Sequence, residues 1–219
     1  MLHAMNPRLL QAPLLTYLDQ ALIVADKPAG LLAVPGRGAD KADSLSARVQ
    51  SHYPDALIVH RLDMATSGLI VLARGPAVQR LLSAAFAERR VDKTYVALVQ
   101  GLLADDAGEI DLPLGADWPN RPRQQVDALR GKPSLTRWQV LSRDTTAGRT
   151  RLLLQPVTGR SHQLRVHLAA IGHAILGDAL YADAAAAGSA PRLLLHASRL
   201  QFDHPLLGTR LDLASAAPF

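Results

Sequence analysis

The pattern of apolar and polar positions along the chain predicts many short strands and few helices. Short apolar runs bounded by turn residues predict strands, and they occur at residues 21–25, 57–63, 69–73, 91–99, 135–141, 150–157 and 192–202. Several neighbouring strands are separated by short polar turns, as in hairpins. The sequence therefore predicts an α+β fold with flanking helices around a mixed, mostly antiparallel β-sheet.

Helices are predicted at three places. Residues 76–90 carry apolar side chains on one helical face and Pro76 in the first turn. A short helix is predicted at 43–50. Residues 158–172 are interpreted as a loop followed by a helix, with Ser161 as the N-cap and Gly172 just after the end.

Two segments show no periodic pattern. Residues 104–133 contain many prolines and glycines and are interpreted as a long loop, and residues 182–190 as a low-complexity surface loop. No repeat and no Gly/Ser-rich linker divides the chain. We therefore expect one domain over residues 1–219.

The composition excludes several classes of site. The chain has no cysteine, which excludes disulfides, thiolate catalysis and thiolate zinc sites. No apolar run reaches the roughly 20 residues of a membrane span, and the N-terminus makes a poor signal peptide. A cytoplasmic protein with no membrane association is expected.

The charge favours an anionic partner. The net charge is +5, and of 24 basic residues only four are lysines. Arginine pairs with phosphates and stacks on bases, so a nucleic acid is one interpretation. An arginine-rich composition set by a GC-rich genome is the other, and composition alone does not separate them.

Two polar clusters stand beside apolar segments. HRLD, residues 60–63, lies at the end of the predicted strand 57–63, and buried charges there need partners. The cluster is either a structural ion pair or a catalytic site. Arg160 and Arg165 surround a predicted helix N-terminus, which attracts anions. Arg165 could keep a nearby aspartate ionised, as a nucleophile must be.

Other chemistries find no support. His162, His167 and His173 lack the spacing of helical zinc ligands and have no acidic neighbour. No serine-hydrolase elbow and no dinucleotide or phosphate loop is present. We therefore expect neither a metal nor a nucleotide cofactor.

Two aromatic residues are candidates for base stacking. Tyr95 lies on a predicted strand, on the same face as Lys93, and is either a core residue or a stacking platform. Trp118 stands among cations in DWPNRPRQQ (117–125), which is either an RNA-binding segment or a solvated loop.

Five motifs in order resemble those of the RluA-type pseudouridine synthase family, over residues 20–205. They are ADKPAGLLAVPG (25–36), HRLDMATSGLIVLAR (60–74), KTYVALVQG (93–101), PVTGRSHQLRVHLAAIGHAILGDALYA (156–182) and RLLLHASRLQFDHP (192–205). The resemblance implies the pseudouridine synthase catalytic fold, here without an S4 domain, and an enzyme that isomerises uridine in RNA.

The resemblance also implies roles for individual residues. Asp63 is expected to be the nucleophile, Arg165 to pair with it, and Tyr95 to stack on the target base. No cofactor is implied, because the uracil ring takes up the electrons. The residues expected to contact RNA are Arg61, Arg160, His162, Arg121, Arg123 and Arg130.

DWPNRPRQ (117–124), with GKPSLTRW (131–138) after it, resembles the dual-specificity branch of that family, which implies tRNA and 23S rRNA as substrates. A monomer is expected. Enzymes acting on only one of these RNAs remain an alternative. So do an RNA-binding module without activity and an aspartate-nucleophile glycosidase, although glycosidases usually need two carboxylates about 5–9 Å apart.

Overall fold

The structure, a computed structural model, describes residues 13–38 and 41–219. Residues 1–12, where a signal peptide was sought, lie outside the described part. The chain divides into two compact units: the first runs to Val91 and includes Arg199–Ala216, and the second comprises Asp92–Ser198 with Ala217–Phe219. Among the described residues, no helix combines the length and hydrophobicity needed to cross a bilayer.

The first unit is built on antiparallel strands. Its strands are β1 (Leu14–Leu18), β2 (Leu22–Lys27), β3 (Ala56–Ile58) and β4 (Ser67–Arg74). Strand β2 pairs with β1 and β4, and β3 pairs with β4. Because β4 is buried along nearly its whole length, its sequence is a continuous apolar run and not an alternating one.

Two helices also belong to the first unit. Helices α1 (Leu45–Gln50) and α2 (Gly75–Ala87) precede and follow the β3–β4 segment. Helix α2 buries Val78, Leu82 and Ala85 in a core shared with β2 and β4.

The second unit contains strands β5 (Asp92–Gln100), β6 (Ala107–Asp111), β9 (Leu135–Asp144) and β10 (Arg149–Pro156), paired antiparallel in the order β5-β10-β9-β6. Strands β7 (Leu114–Ala116) and β8 (Gln124–Val126) form a separate hairpin. Helix α3 (Gln163–Ala170) contacts β8, β9 and β10, and a short helix α4 (Ala184–Gly188) follows.

Strand β11 (Leu195–Asp203) begins in the second unit and ends in the first. There it pairs antiparallel with β12 (Arg210–Ala214), from Arg199 onwards. The predicted α+β class with a mostly antiparallel sheet is confirmed. The predicted helices at 43–50 and 76–90 correspond to α1 and α2.

Three predictions from the sequence were wrong in detail. The strand predicted at 57–63 ends at Ile58, because beyond that point the Val71 N–H of β4 donates to the His60 side chain and not to a backbone carbonyl. The loop predicted at 104–133 contains β6, β7 and β8. The loop predicted at 182–190 contains α4, which is capped by the Asp183 carboxylate.

The start of α3 also differs from the prediction. Its N-cap is His162, at a φ of 55°, and not Ser161. The predicted end is confirmed: Gly172, at a φ of +83°, follows the C-cap Ile171 and donates its N–H to the Ala169 carbonyl. A residue in the left-handed region after the C-cap is a common way to end a helix.

Candidate active site

Asp63 lies in the loop between β3 and β4 and is partly exposed. The residues around it are anchored: Leu62 is 7% exposed and Thr66 is 2% exposed. The Thr66 N–H donates to the Asp63 carbonyl at 3.1 Å and closes a turn. The backbone is thereby fixed at a residue that is not fully buried. Arg61, two residues earlier, is exposed.

A buried lysine also hydrogen-bonds to the same loop, and the sequence did not indicate this lysine as a functional residue. Lys27 is 0% exposed, and its ammonium donates to the carbonyls of Pro28 at 2.9 Å, Leu31 at 2.7 Å and Met64 at 3.0 Å. The Gly30 N–H donates to that Met64 carbonyl as well, at 2.8 Å. A buried ammonium is tolerated only when it is hydrogen-bonded, so this one fixes the residue next to Asp63.

His60 has a structural role at the start of the loop. Its Nε2 accepts a hydrogen bond from the Val71 N–H of β4 at 3.0 Å, and its ring stacks on Phe86 of α2, with centroids 4.4 Å apart. A ring nitrogen that accepts from a backbone amide is unprotonated. His60 therefore connects the start of the loop to strand β4 and to helix α2.

Tyr95 lies on β5 opposite Leu154 of β10 and is partly exposed. Lys93 is on the same face of the strand, two residues earlier. Its ammonium lies beside Gly159, where an added Cβ would be 3.7 Å from Nζ. The strand thus presents an aromatic ring and a cation next to the loop that leads into α3.

Arg165 of α3 has a partner that the sequence did not indicate. Its guanidinium forms two hydrogen bonds to the Asp178 carboxylate, at 2.8 and 2.7 Å, and both side chains are at most 5% exposed. Asp178 also accepts from the N–H groups of Leu180 and Tyr181. This network fixes the orientation of Arg165. The pairing of Arg165 with Asp63 stays a prediction.

The turn before α3 is held by Gln163. Its Oε1 accepts from the Thr158 hydroxyl at 2.7 Å and from the Arg160 N–H at 3.0 Å. The Arg160 side chain is exposed, with its guanidinium 3.4 Å from the Pro133 carbonyl. Nδ1 of His162 lies 2.6 Å from the Tyr181 hydroxyl.

The other two histidines of this region, His167 and His173, are hydrogen-bonded to other groups of the protein. His167 contacts the Thr136 hydroxyl and the Leu112 carbonyl, each at 3.0 Å, and burial lowers its pKa, so it stays neutral. His173 contacts the Gln100 carbonyl at 2.9 Å. Within residues 13–38 and 41–219, no cluster of three metal-ligating side chains was found.

The basic segment, residues 117–132, contains the β7–β8 hairpin tip and the turn after it. Trp118 is 67% exposed, and the Arg121 guanidinium lies 3.6 Å from its ring centroid. Arg123 and Arg130 are also exposed. Asp127 accepts from the backbone N–H groups of Leu129 and Arg130 and so stabilises the turn. The arrangement combines an exposed aromatic ring with several cations.

Comparison with known proteins identifies relatives that cover most of the chain. Residues 21–170 match the family model described as RNA pseudouridylate synthase. The chain is 53% identical over 203 residues to the "Dual-specificity RNA pseudouridine synthase RluA" of Yersinia pestis, covering 93% of this chain and 98% of that one. It is 50% identical over 205 residues to the Escherichia coli K12 protein of the same name, covering 93% and 92%.

A solved structure is also similar. The "Human RNA Pseudouridylate Synthase Domain Containing 1" superposes with a TM-score of 0.80 at 27% identity, covering 96% of this chain and 85% of that chain.

Proposed function

The chain belongs to the RNA pseudouridylate synthase family, and from that premise we propose that Asp63 is the nucleophile of the reaction. The enzyme is an isomerase that converts uridine in RNA to pseudouridine. The observation that carries the proposal is a partly exposed aspartate on a backbone fixed by Lys27 and the Thr66 turn. A nucleophile needs both access and a defined position.

The proposed reaction is an internal transfer of the base. The Asp63 carboxylate attacks either C6 of the uracil or C1′ of the ribose, and the N1–C1′ bond breaks. The uracil rotates, C5 bonds to C1′, and the bond from Asp63 to the nucleotide breaks, which restores the carboxylate. The C5 hydrogen leaves as a proton while N1 gains one. No electrons enter or leave overall, so the isomerisation needs no redox cofactor.

Three further residues are proposed to serve this reaction. A target base within folded RNA must be flipped out of its stack, and we propose that Tyr95 stacks on it while Arg61 fills the space it leaves. Arg165 is proposed to pair with Asp63 and keep it ionised. The exposure of Arg61 and the partial exposure of Tyr95 support the first two roles.

The substrates are proposed to be an anticodon stem-loop uridine of tRNA and a hairpin-loop uridine of 23S rRNA. The two relatives reported above are both named dual-specificity enzymes. The basic segment adds support, because an exposed indole among arginines suits unpaired bases and the phosphate backbone. Arg160 and His162 are proposed to extend this surface. An enzyme acting on one of these RNAs alone is the alternative.

We propose further that the two units act as one catalytic domain in a monomeric, cytoplasmic enzyme. The chain supplies Asp63 from the first unit and Tyr95 and Arg165 from the second, so neither unit alone contains all the proposed residues. The absence of cysteine fits a reducing compartment.

Tritium release from RNA labelled at C5 of uridine tests the function. A synthase releases tritium and leaves the RNA chain intact, a binding module releases none, and a glycosidase releases free uracil. Comparing an isolated anticodon stem-loop, a 23S rRNA hairpin and whole tRNA tests the substrates. Release from both stem-loops supports dual specificity, and release from only one restricts the enzyme to that RNA.

A further inference from the structure

One tyrosine hydroxyl connects the basic segment to helix α3. The backbone N–H of Gln124, the first residue of β8, donates to the Tyr181 hydroxyl at 2.8 Å. Nδ1 of His162, the N-cap of α3, lies 2.6 Å from the same oxygen. A hydroxyl that accepts from Gln124 can donate its own proton to Nδ1, so Tyr181 bridges the hairpin and the start of the helix.

The ring and backbone of Tyr181 contact the surroundings of Arg165. The Arg165 guanidinium lies 5.0 Å from the Tyr181 ring centroid, within the range of a cation–π contact. The Tyr181 N–H donates to the Asp178 carboxylate, which holds Arg165 by two hydrogen bonds. Tyr181 therefore touches both the hairpin backbone and the ion pair that orients Arg165.

We propose that Tyr181 is a positioning residue that holds the RNA-binding hairpin in a fixed relation to Arg165. The inference rests on the proposed function, in which the hairpin binds RNA and Arg165 serves the nucleophile. Strands β7 and β8 have three paired positions, and the Asp117 N–H donates to the Arg123 carbonyl at 3.0 Å across the tip. So short a ladder is weak in isolation. A hydrogen bond at the first residue of β8 fixes the tip that carries Trp118 and Arg121.

The substitution Tyr181→Phe tests this role, since it removes the hydroxyl and keeps the ring beneath Arg165. The dissociation constant (Kd) for the stem-loop RNA is expected to rise about fivefold to tenfold, the size of effect that removing one hydrogen bond produces. The kcat at saturating RNA is expected to stay within about twofold of wild type, because the ring and the Asp178 pair remain. Tyr17→Phe is the matched control: it removes a tyrosine hydroxyl bonded to Asp19 in the first unit and should leave Kd unchanged.

A double-mutant cycle separates coupling through the hairpin from a general structural effect. In a protein carrying Trp118→Ala together with Arg121→Gln and Arg123→Gln, the hairpin tip no longer offers its ring or its cations, so RNA gains little from the position of the tip. Adding Tyr181→Phe to that protein should change Kd by less than about 1.5-fold, a clear departure from additivity. An equal change of Kd in both backgrounds would overturn the proposal, as would an unchanged Kd in the Trp118/Arg121/Arg123 variant.

Tritium release, measured on the same proteins, tests the proposed activity separately from the role of Tyr181. Absence of tritium release from the wild type would refute the proposed activity, whereas the Kd cycle would still report whether Tyr181 acts through the hairpin. Release by the wild type together with additive Kd changes would refute only the role of Tyr181.

Discussion

At the scale of single residues, the proposed chemistry depends on charged groups whose surroundings differ sharply. Asp63 is partly exposed on a fixed loop, Lys27 is fully buried against three carbonyls, and Arg165 is buried against Asp178. The motifs predicted Asp63 and Arg165 as functional residues. They could not predict Lys27 or Asp178 as partners, because hydrogen bonds between distant segments depend on the folded path of the chain.

The buried pair predicts a large effect on stability. Asp178→Asn removes the carboxylate charge that accepts two hydrogen bonds from the buried Arg165 guanidinium. Removing one partner of a buried ion pair costs about 3–5 kcal/mol in the free energy of unfolding. Urea denaturation measures this change in the free energy of unfolding. Asp212→Asn is the matched control, since Asp212 also pairs with an arginine, Arg199, but at 41% exposure. If both variants are destabilised by the same small amount, the Asp178 pair does not support the fold as described.

Tyr95 can be tested with two substitutions. Tyr95→Phe keeps the ring and should retain most activity if stacking is the whole role. Tyr95→Ala removes the platform and should lose roughly 1–3 kcal/mol of interaction with the flipped base. Single-turnover tritium release and RNA binding measure both variants. A folded Phe variant that binds RNA but is inactive would assign a chemical role to the hydroxyl.

At the scale of elements, the sequence predicted the long strands and helices well and the short elements poorly. Strand β4 and helix α2 were found because burial imposes a long apolar pattern on them. Strands β7 and β8 have three residues each, too few to establish a period of two. The N-cap His162 was missed because a left-handed backbone at a non-glycine residue has no local sequence signal.

The basic segment makes a prediction about salt dependence. Replacing Arg121, Arg123 and Arg130 by glutamine should weaken RNA binding and lower the slope of log Kd against log salt by about one for each phosphate that the variant no longer binds. The control replaces three exposed arginines that each pair with a carboxylate, namely Arg137, Arg149 and Arg210. An unchanged slope in the first variant, or an equal change in both, would remove the segment from the RNA interface.

The turn between β1 and β2 predicts a loss of stability in acid. Burial alone would raise the pKa of Asp19, but hydrogen bonds from Leu22, Tyr17, Ala21 and His204 lower it from 3.8 to about 2. A carboxylate with a depressed folded-state pKa stabilises the fold above the unfolded value, and that contribution disappears as pH falls towards 2. The stability difference between wild type and Asp19→Asn should therefore shrink from pH 5 to pH 2, as measured by urea denaturation. A difference in stability between the two proteins that does not change with pH would contradict this role of the Asp19 carboxylate.

At the scale of the whole molecule, the family, the fold and the net charge all fit an enzyme that acts on RNA. The chain carries a net charge of +5 with arginine as its main cation, and its family acts on RNA. The proposed residues come from both units, Asp63 from the first and Tyr95 and Arg165 from the second. Ordered motifs predicted this set from the sequence, whereas the contacts that orient each member required the structure.

The central claim is that the Asp63 carboxylate forms the bond that starts the isomerisation. Asp63→Asn is nearly isosteric but cannot attack, so the variant should keep the fold and bind RNA. Asp105→Asn, the same change at an exposed carboxylate, is the control and should keep full activity.

The most direct measurement is single-turnover tritium release from stem-loop RNA labelled at C5 of uridine. The account predicts release by the wild type and by Asp105→Asn, and none above the protein-free blank by Asp63→Asn. Release by Asp63→Asn within about tenfold of the wild-type rate would contradict the account and remove Asp63 from the role of nucleophile.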